Sequence, residues 1–197
     1  MYTTDLLEFD QKGNGVILLW ERRFVFAIGK ENYWNKATTP MIITFTNIGG
    51  KVELDESVIA ATKREAFEEI GCEINLFPAS QTLYCILKAR DFTTYTLEDE
   101  CPPILIYNTS KLSLSVCVYL AQTTTAPIPQ HEIPALLFLP PSALNGGPLE
   151  QVIQIGGILQ EQVKGTIPRT SILRPWGSAA LLATDFDRFN SIARFNI

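Results

Sequence analysis

Histidine is almost missing from this chain: His131 is the only one in 197 residues. Zinc sites and histidine-based triads are therefore poorly supplied. Cysteine is sparse as well. Cys72, Cys85, Cys101 and Cys117 are scattered with no CxxC pair, so they read as small buried hydrophobes rather than as ligands or disulfide partners. No apolar run approaches the ~20 residues of a membrane span. The leading MYTTDLLEFD carries acids where a secretory signal carries Lys or Arg, so the expectation is a cytoplasmic protein with no membrane partner. Positive charge is in deficit: sixteen Lys and Arg face twenty-one Asp and Glu, a formal charge of −5. That balance excludes a general basic surface for a nucleic-acid duplex. An anionic substrate would need local help, such as a bound cation.

What the chain does have is apolar material. With 46% hydrophobic and 19% charged residues it can build a sizeable core, and its length suits one domain, or one domain with an extension. Val16 to Trp20 and Phe24 to Ile28 read as two strands joined by the charged turn Glu21-Arg22-Arg23. Lys30 to Pro40 is polar and reads as a loop. Ile42 to Thr46 is β-branched and aromatic, a strand that runs straight into Asn47-Ile48-Gly49-Gly50. From Ser57 to Ile70 there is neither Gly nor Pro, and the pattern predicts a helix stopped by Gly71.

Four further short apolar segments, Thr82 to Leu87, Ile104 to Tyr107, Ser115 to Leu120 and Ala135 to Leu139, are bounded by turn formers and read as strands. Strands on both sides of one strong helix predict an α/β (α+β) layered domain. Its expected span is residues 1–144. Residues 145–197 hold two Gly-Gly pairs, a mildly amphipathic Leu149 to Val163 and an apolar-aromatic tail from Ser178. They are expected to form a helical extension packed on the same domain, covering the cleft or mediating a homodimer.

The chemistry is concentrated in GKVELDESVIAATKREAFEEIGC, residues 50–72. A helix turns ~100° per residue, so Glu65, Glu68 and Glu69 share one face within roughly 100° of arc. Ile59, Ala66 and Ile70 lie on the other side as a core-facing stripe. Carboxylates this close repel one another, and a divalent cation among them relieves the cost. Oxygen-only ligands suit a hard ion, Mg²⁺ or Mn²⁺. A bare acidic helix could equally be a solvated face whose glutamates pair with Lys63 and Arg64. The surrounding residues decide against that. Gly50, Glu56, Arg64, Glu65, Glu68, Glu69 and Gly71, with apolar Ala66 and Cys72, fill every specified position of G-x5-E-x7-R-E-U-x-E-E-x-G-U.

This segment resembles the Nudix hydrolase signature. The resemblance implies a Nudix-type α/β/α sandwich with a mixed β-sheet, and hydrolysis of the pyrophosphate bond in a nucleoside diphosphate linked to another moiety. It implies that Glu65, Glu68 and Glu69 bind the metal, that Arg64 orients carboxylates, and that Glu56 is its partner or an outer metal ligand. Gly49 and Gly50 would let the backbone turn sharply or approach a phosphate. A metal-activated water would attack phosphorus, with a carboxylate taking its proton. Glu132, just before the last core strand, is the candidate base or additional ligand, beside Glu68 and Glu69. Glu98, Asp99 and Glu100 form a weaker acidic candidate, and His131 reads as an ordinary loop residue. Tyr33-Trp34 could stack on a base, and Arg22, Arg23 or Arg90 could bind phosphate.

Two rival functions compete with hydrolysis. A Nudix-like ligand sensor would usually have lost box residues, and this box is intact. A prenyl diphosphate isomerase of the same fold needs an active-site cysteine and extra histidine ligands, which His131 alone cannot supply.

Overall fold

The apolar runs at the start of the chain pair as expected. β1 (Gln11–Trp20) and β2 (Arg23–Ile28) form an antiparallel hairpin with Leu18 opposite Val25. Glu21 and Arg22 turn it at φ 45° and 62°, left-handed geometry that suits a tight hairpin. β1 begins at Gln11, well before its apolar run, because it also pairs in parallel with β8 (Leu114–Gln122), from Gln11 opposite Leu114 to Leu19 opposite Gln122.

The computed structural model describes residues 1–87 and 91–195, so Arg90 lies outside the described residues. β3 (Ile42–Thr46) pairs with β2. Beyond it come β4 (Asn75–Phe77), β5 (Thr82–Ile86), β6 (Asp91–Tyr95), β7 (Leu105–Thr109) and β9 (Ala135–Leu139). Residues after Leu144 supply β10 (Gly147–Pro148), β11 (Ile158–Glu161) and β12 (Ile172–Pro175). One sheet runs in the order β10-β12-β3-β2-β1-β8-β7-β5-β6, with β9 paired to β2 and β11, and β4 to β8. It is mixed: β1 with β8, β5 with β7 and β12 with β3 are parallel.

Side chains alternate along a strand, so the sheet divides the core into two layers. Ile17, Phe24, Phe26 and Ile28 pack in one, Val16, Leu18, Val25 and Ala27 in the other. Strands buried on both faces read as unbroken apolar runs, which hides their period of two. The helix α1 (Val58–Ile70) covers the second layer through Ala66 and Ile70, with Ile59 partly buried beside them. The first layer is covered by α3 (Ser178–Thr184) and α4 (Phe186–Ala193) through Leu181, Leu182 and Phe189. Helices thus flank a mixed sheet, the α/β/α arrangement expected.

The segment after Leu144 is not helical alone. It carries α2 (Leu149–Gln154), α3 and α4, but its strands also extend one edge of the sheet and line β9. The amphipathic stretch from Leu149 splits into α2 and β11, with the turn at Gly156-Gly157 between them. Among the described residues no helix is long and apolar enough to cross a membrane.

Candidate functional site

Between β3 and α1 the chain is pinned along β1. Val16 N–H donates to the Ile48 carbonyl, Asn14 N–H to that of Gly50, and Val52 N–H to that of Lys12, at 2.9, 2.9 and 3.0 Å. Gly49 needs to be glycine: φ is +143°, and a Cβ there would strike the Asn14 carbonyl oxygen. At Gly50 a Cβ would lie 2.5 Å from the Glu65 carboxyl. The two glycines therefore let the loop close over the glutamate face of α1. Ser57 caps that helix by accepting from Ala60 N–H at 3.1 Å, and Gly71 ends it at φ 67°.

Arg64 gathers three of the predicted carboxylates. Its Nε and Nη2 donate to the two oxygens of Glu56, both at 3.0 Å, and its Nη1 donates to Glu65 at 2.9 Å and Glu68 at 3.1 Å. Nη2 also reaches the Lys51 carbonyl at 3.2 Å. The guanidinium holds the Glu56 carboxyl below its ordinary range, and these anions push the Arg64 pKa up. Among the described residues no three His, Cys, Asp or Glu side chains are poised together as a metal group. Arg64 draws Glu56, Glu65 and Glu68 toward itself.

Glu69 stands apart from that grip. Its Oε2 accepts the Gly49 N–H at 3.0 Å, so this amide is engaged by a side chain of the protein. Burial pushes the Glu69 carboxyl up to about 8; the Gly49 bond and Lys30 oppose the rise, and Glu65 and Glu132 add to it. Glu132 reaches the same neighbourhood because its loop is fastened to the end of α1. Gln130 N–H donates to the Glu69 carbonyl at 2.9 Å and Ile128 N–H to that of Ile70 at 3.0 Å. The exposed Glu132 carboxylate pairs with Lys30, and His131 beside it sits at φ 47°.

Glu69 and Lys30 line a cavity of about 550 Å³ whose walls include Ile28, Thr44, Ile133 and Tyr33. Sequence reasoning missed another wall residue, Trp176, which follows β12. Only its aromatic character in a Gly/Pro-flanked position could have singled it out. Trp34 corrects an expectation: it is 8% exposed and its indole N–H donates to the Gly29 carbonyl, so it is core and cannot stack on a ligand. Arg22 lines a different hollow with Trp20, and Arg23 donates to the Gly156 carbonyl at 3.2 Å. Glu98 pairs with the N-terminal amine at 2.8 Å, and Asp99 accepts from Thr3 N–H at 2.8 Å, so both hold the start of the chain.

The family model for the NUDIX domain matches residues 3–157. No curated protein matches. Among solved structures, a NUDIX hydrolase from Nitrosomonas europaea is 14% identical, covering 66% of this chain and 57% of its own, with a TM-score of 0.42. A NUDIX family hydrolase from Clostridium perfringens is 20% identical over 68% of this chain and 83% of its own, TM-score 0.48. An ADP-ribose pyrophosphatase from Streptococcus suis is 13% identical over 67% and 75%, TM-score 0.43.

Proposed function

The chain belongs to the Nudix hydrolase family, and on that premise we propose that it hydrolyses the phosphate-anhydride bond of a nucleoside diphosphate linked to another moiety, with Mg²⁺ or Mn²⁺. One observation carries this reading: the glutamate face of α1 ends, at Glu69, beside a cavity of a size suited to a small ligand.

The residues present fit a divalent ion. The donors are carboxylate oxygens, the choice of a hard cation. The missing side chain of Gly50 leaves room at the Glu65 carboxyl. Glu69, raised by burial and by neighbouring acids, is a carboxylate that a nearby cation would compensate. Glu65, Glu68 and Glu69 would hold the ion, which involves releasing part of the Arg64 contacts. When bound, it would neutralise charge on the diphosphate and acidify a water.

The chain's own residues do the rest. Arg64, anchored by both oxygens of Glu56, orients Glu65 and Glu68. Glu56 is thereby assigned to Arg64 rather than to the ion. Glu132, whose loop is bonded to the end of α1, is our candidate for the base that takes the proton of the attacking water or for an additional ligand. Lys30 lies at the cavity, and its ammonium can exchange Glu132 for a phosphate oxygen.

The test is product release from nucleotide sugars, dinucleotides, dinucleoside polyphosphates and nucleoside triphosphates, with Mg²⁺ or Mn²⁺ and then with chelator. Chelator-sensitive cleavage is expected. A panel bound but never cleaved would replace the hydrolase with a ligand sensor.

A further inference from the structure

Two large aromatic side chains are left open to solvent in the same cavity. Tyr33 is 68% exposed and Trp176 66% exposed, and both line the space that Glu69 also lines. Single exposed aromatics are ordinary on a protein surface; two on one cavity wall set call for a ligand.

Both sit on fixed backbone. Trp176 N–H donates to the Phe45 carbonyl at 2.9 Å, continuing the parallel pairing of β12 with β3, so the sheet edge itself sets its position. Tyr33 ends a 3-10 turn, Glu31–Tyr33, closed by its N–H on the Lys30 carbonyl at 2.9 Å. The buried Trp34 beside it anchors that turn to Gly29. Trp176 also lies beyond the residues the family model matches, 3–157, so this wall belongs to the chain's own C-terminal segment.

Building on the hydrolase reading above, we propose that Tyr33 and Trp176 form the specificity pocket and hold the flat nucleobase of the substrate by its faces, with the diphosphate toward Glu69 and Lys30. The lining argues for a ring rather than a sugar or a further phosphate. Ala27, Ile28 and Ile133 offer apolar contact, and away from the acidic end the polar groups are the hydroxyls of Thr44 and Thr46, with the Tyr33 hydroxyl and the Trp176 indole N–H carried by the two aromatics themselves. A sugar would leave many hydroxyls without partners there, and among the described lining residues Lys30 is the one cation a phosphate would meet. A base loses little, because its faces are apolar and stack on any aromatic ring. With so few edge partners, the pocket tolerates different bases but rejects a substrate without one.

The full chain is titrated with AMP, CMP and ribose 5-phosphate, none of which has an anhydride bond, and tryptophan emission is followed. Saturable quenching by AMP and CMP but not by ribose 5-phosphate is expected, as is its loss in Trp176→Phe. Trp176→Ala and Tyr33→Ala each raise KM for base-bearing diphosphates by roughly tenfold, with kcat falling less; both sites are exposed, and circular dichroism checks the fold. Equal quenching by ribose 5-phosphate, undiminished quenching in Trp176→Phe, or unchanged KM in both alanine variants overturns the pocket while leaving hydrolysis standing. AMP quenching through Trp176 without turnover of any diphosphate overturns hydrolysis and keeps the pocket.

Discussion

Gly49 and Glu69, twenty residues apart, meet in one hydrogen bond: the backbone N–H of the glycine donates to Oε2 of the glutamate at 3.0 Å. That bond fastens the turn after β3 to the last glutamate of α1, and it exists because the glycine can hold φ +143° against β1. Any side chain there pushes the loop off Asn14 and Gly15. Gly49→Ala should cost roughly 1–3 kcal/mol in chemical denaturation, since it combines backbone strain with a clash, and should lower turnover as Glu69 loses its anchor.

Glu69 should also leave a signature in stability. Its folded pKa, about 8, lies above the ordinary carboxylate value of 4.5. The native state therefore holds a proton that the unfolded chain has released between those limits, so stability falls as pH rises from about 4.5 to about 8. Denaturation of the metal-free protein across that range should show this decline. Glu69→Gln should flatten it and cut turnover by at least about 100-fold while the far-ultraviolet spectrum is unchanged. Retained turnover in both Glu68→Gln and Glu69→Gln would sink the metal assignment.

Arg64 binds Glu56 through two parallel hydrogen bonds and reaches Glu65 and Glu68 with its third nitrogen. Lysine keeps the charge but has no fork. Arg64→Lys should lower kcat/KM on the order of 10–100-fold, as loss of a ligand-orienting partner does, and Glu56→Gln should reproduce part of that loss. Steady-state kinetics of the two variants and their double mutant would show non-additive effects if they act as one unit.

Glu132 pairs with Lys30 at the surface, and exposed ion pairs contribute little stability. Glu132→Gln should shift the unfolding free energy by no more than about 0.5 kcal/mol. A fall in kcat with KM nearly unchanged is expected; unaltered kcat would hand the proton transfer to another carboxylate.

The sequence by itself determined the local parts of this protein. The hairpin of β1 and β2, the strand leading into Gly49-Gly50, and the capped helix from Ser57 to Gly71 all follow from short-range patterns of apolar residues, caps and glycines. The box spacing also fixed which glutamates share a face, because a helix has one period.

Only the tertiary structure decided what those parts meet. Ser178, at the start of α3, donates to the Asn47 side chain at 3.1 Å across 131 residues, and Asn47 in turn donates to the Val16 carbonyl at 2.6 Å. Trp176 reaches the cavity because β12 lies parallel to β3, and Glu132 comes into the neighbourhood of Glu69 because its loop bonds to the end of α1. Trp34 and Tyr33, neighbours in sequence, part to the core and the cavity because the turn between Glu31 and Trp34 sends them in different directions. Pairings across so many residues depend on strand order and on which faces pack, and no local period records either one.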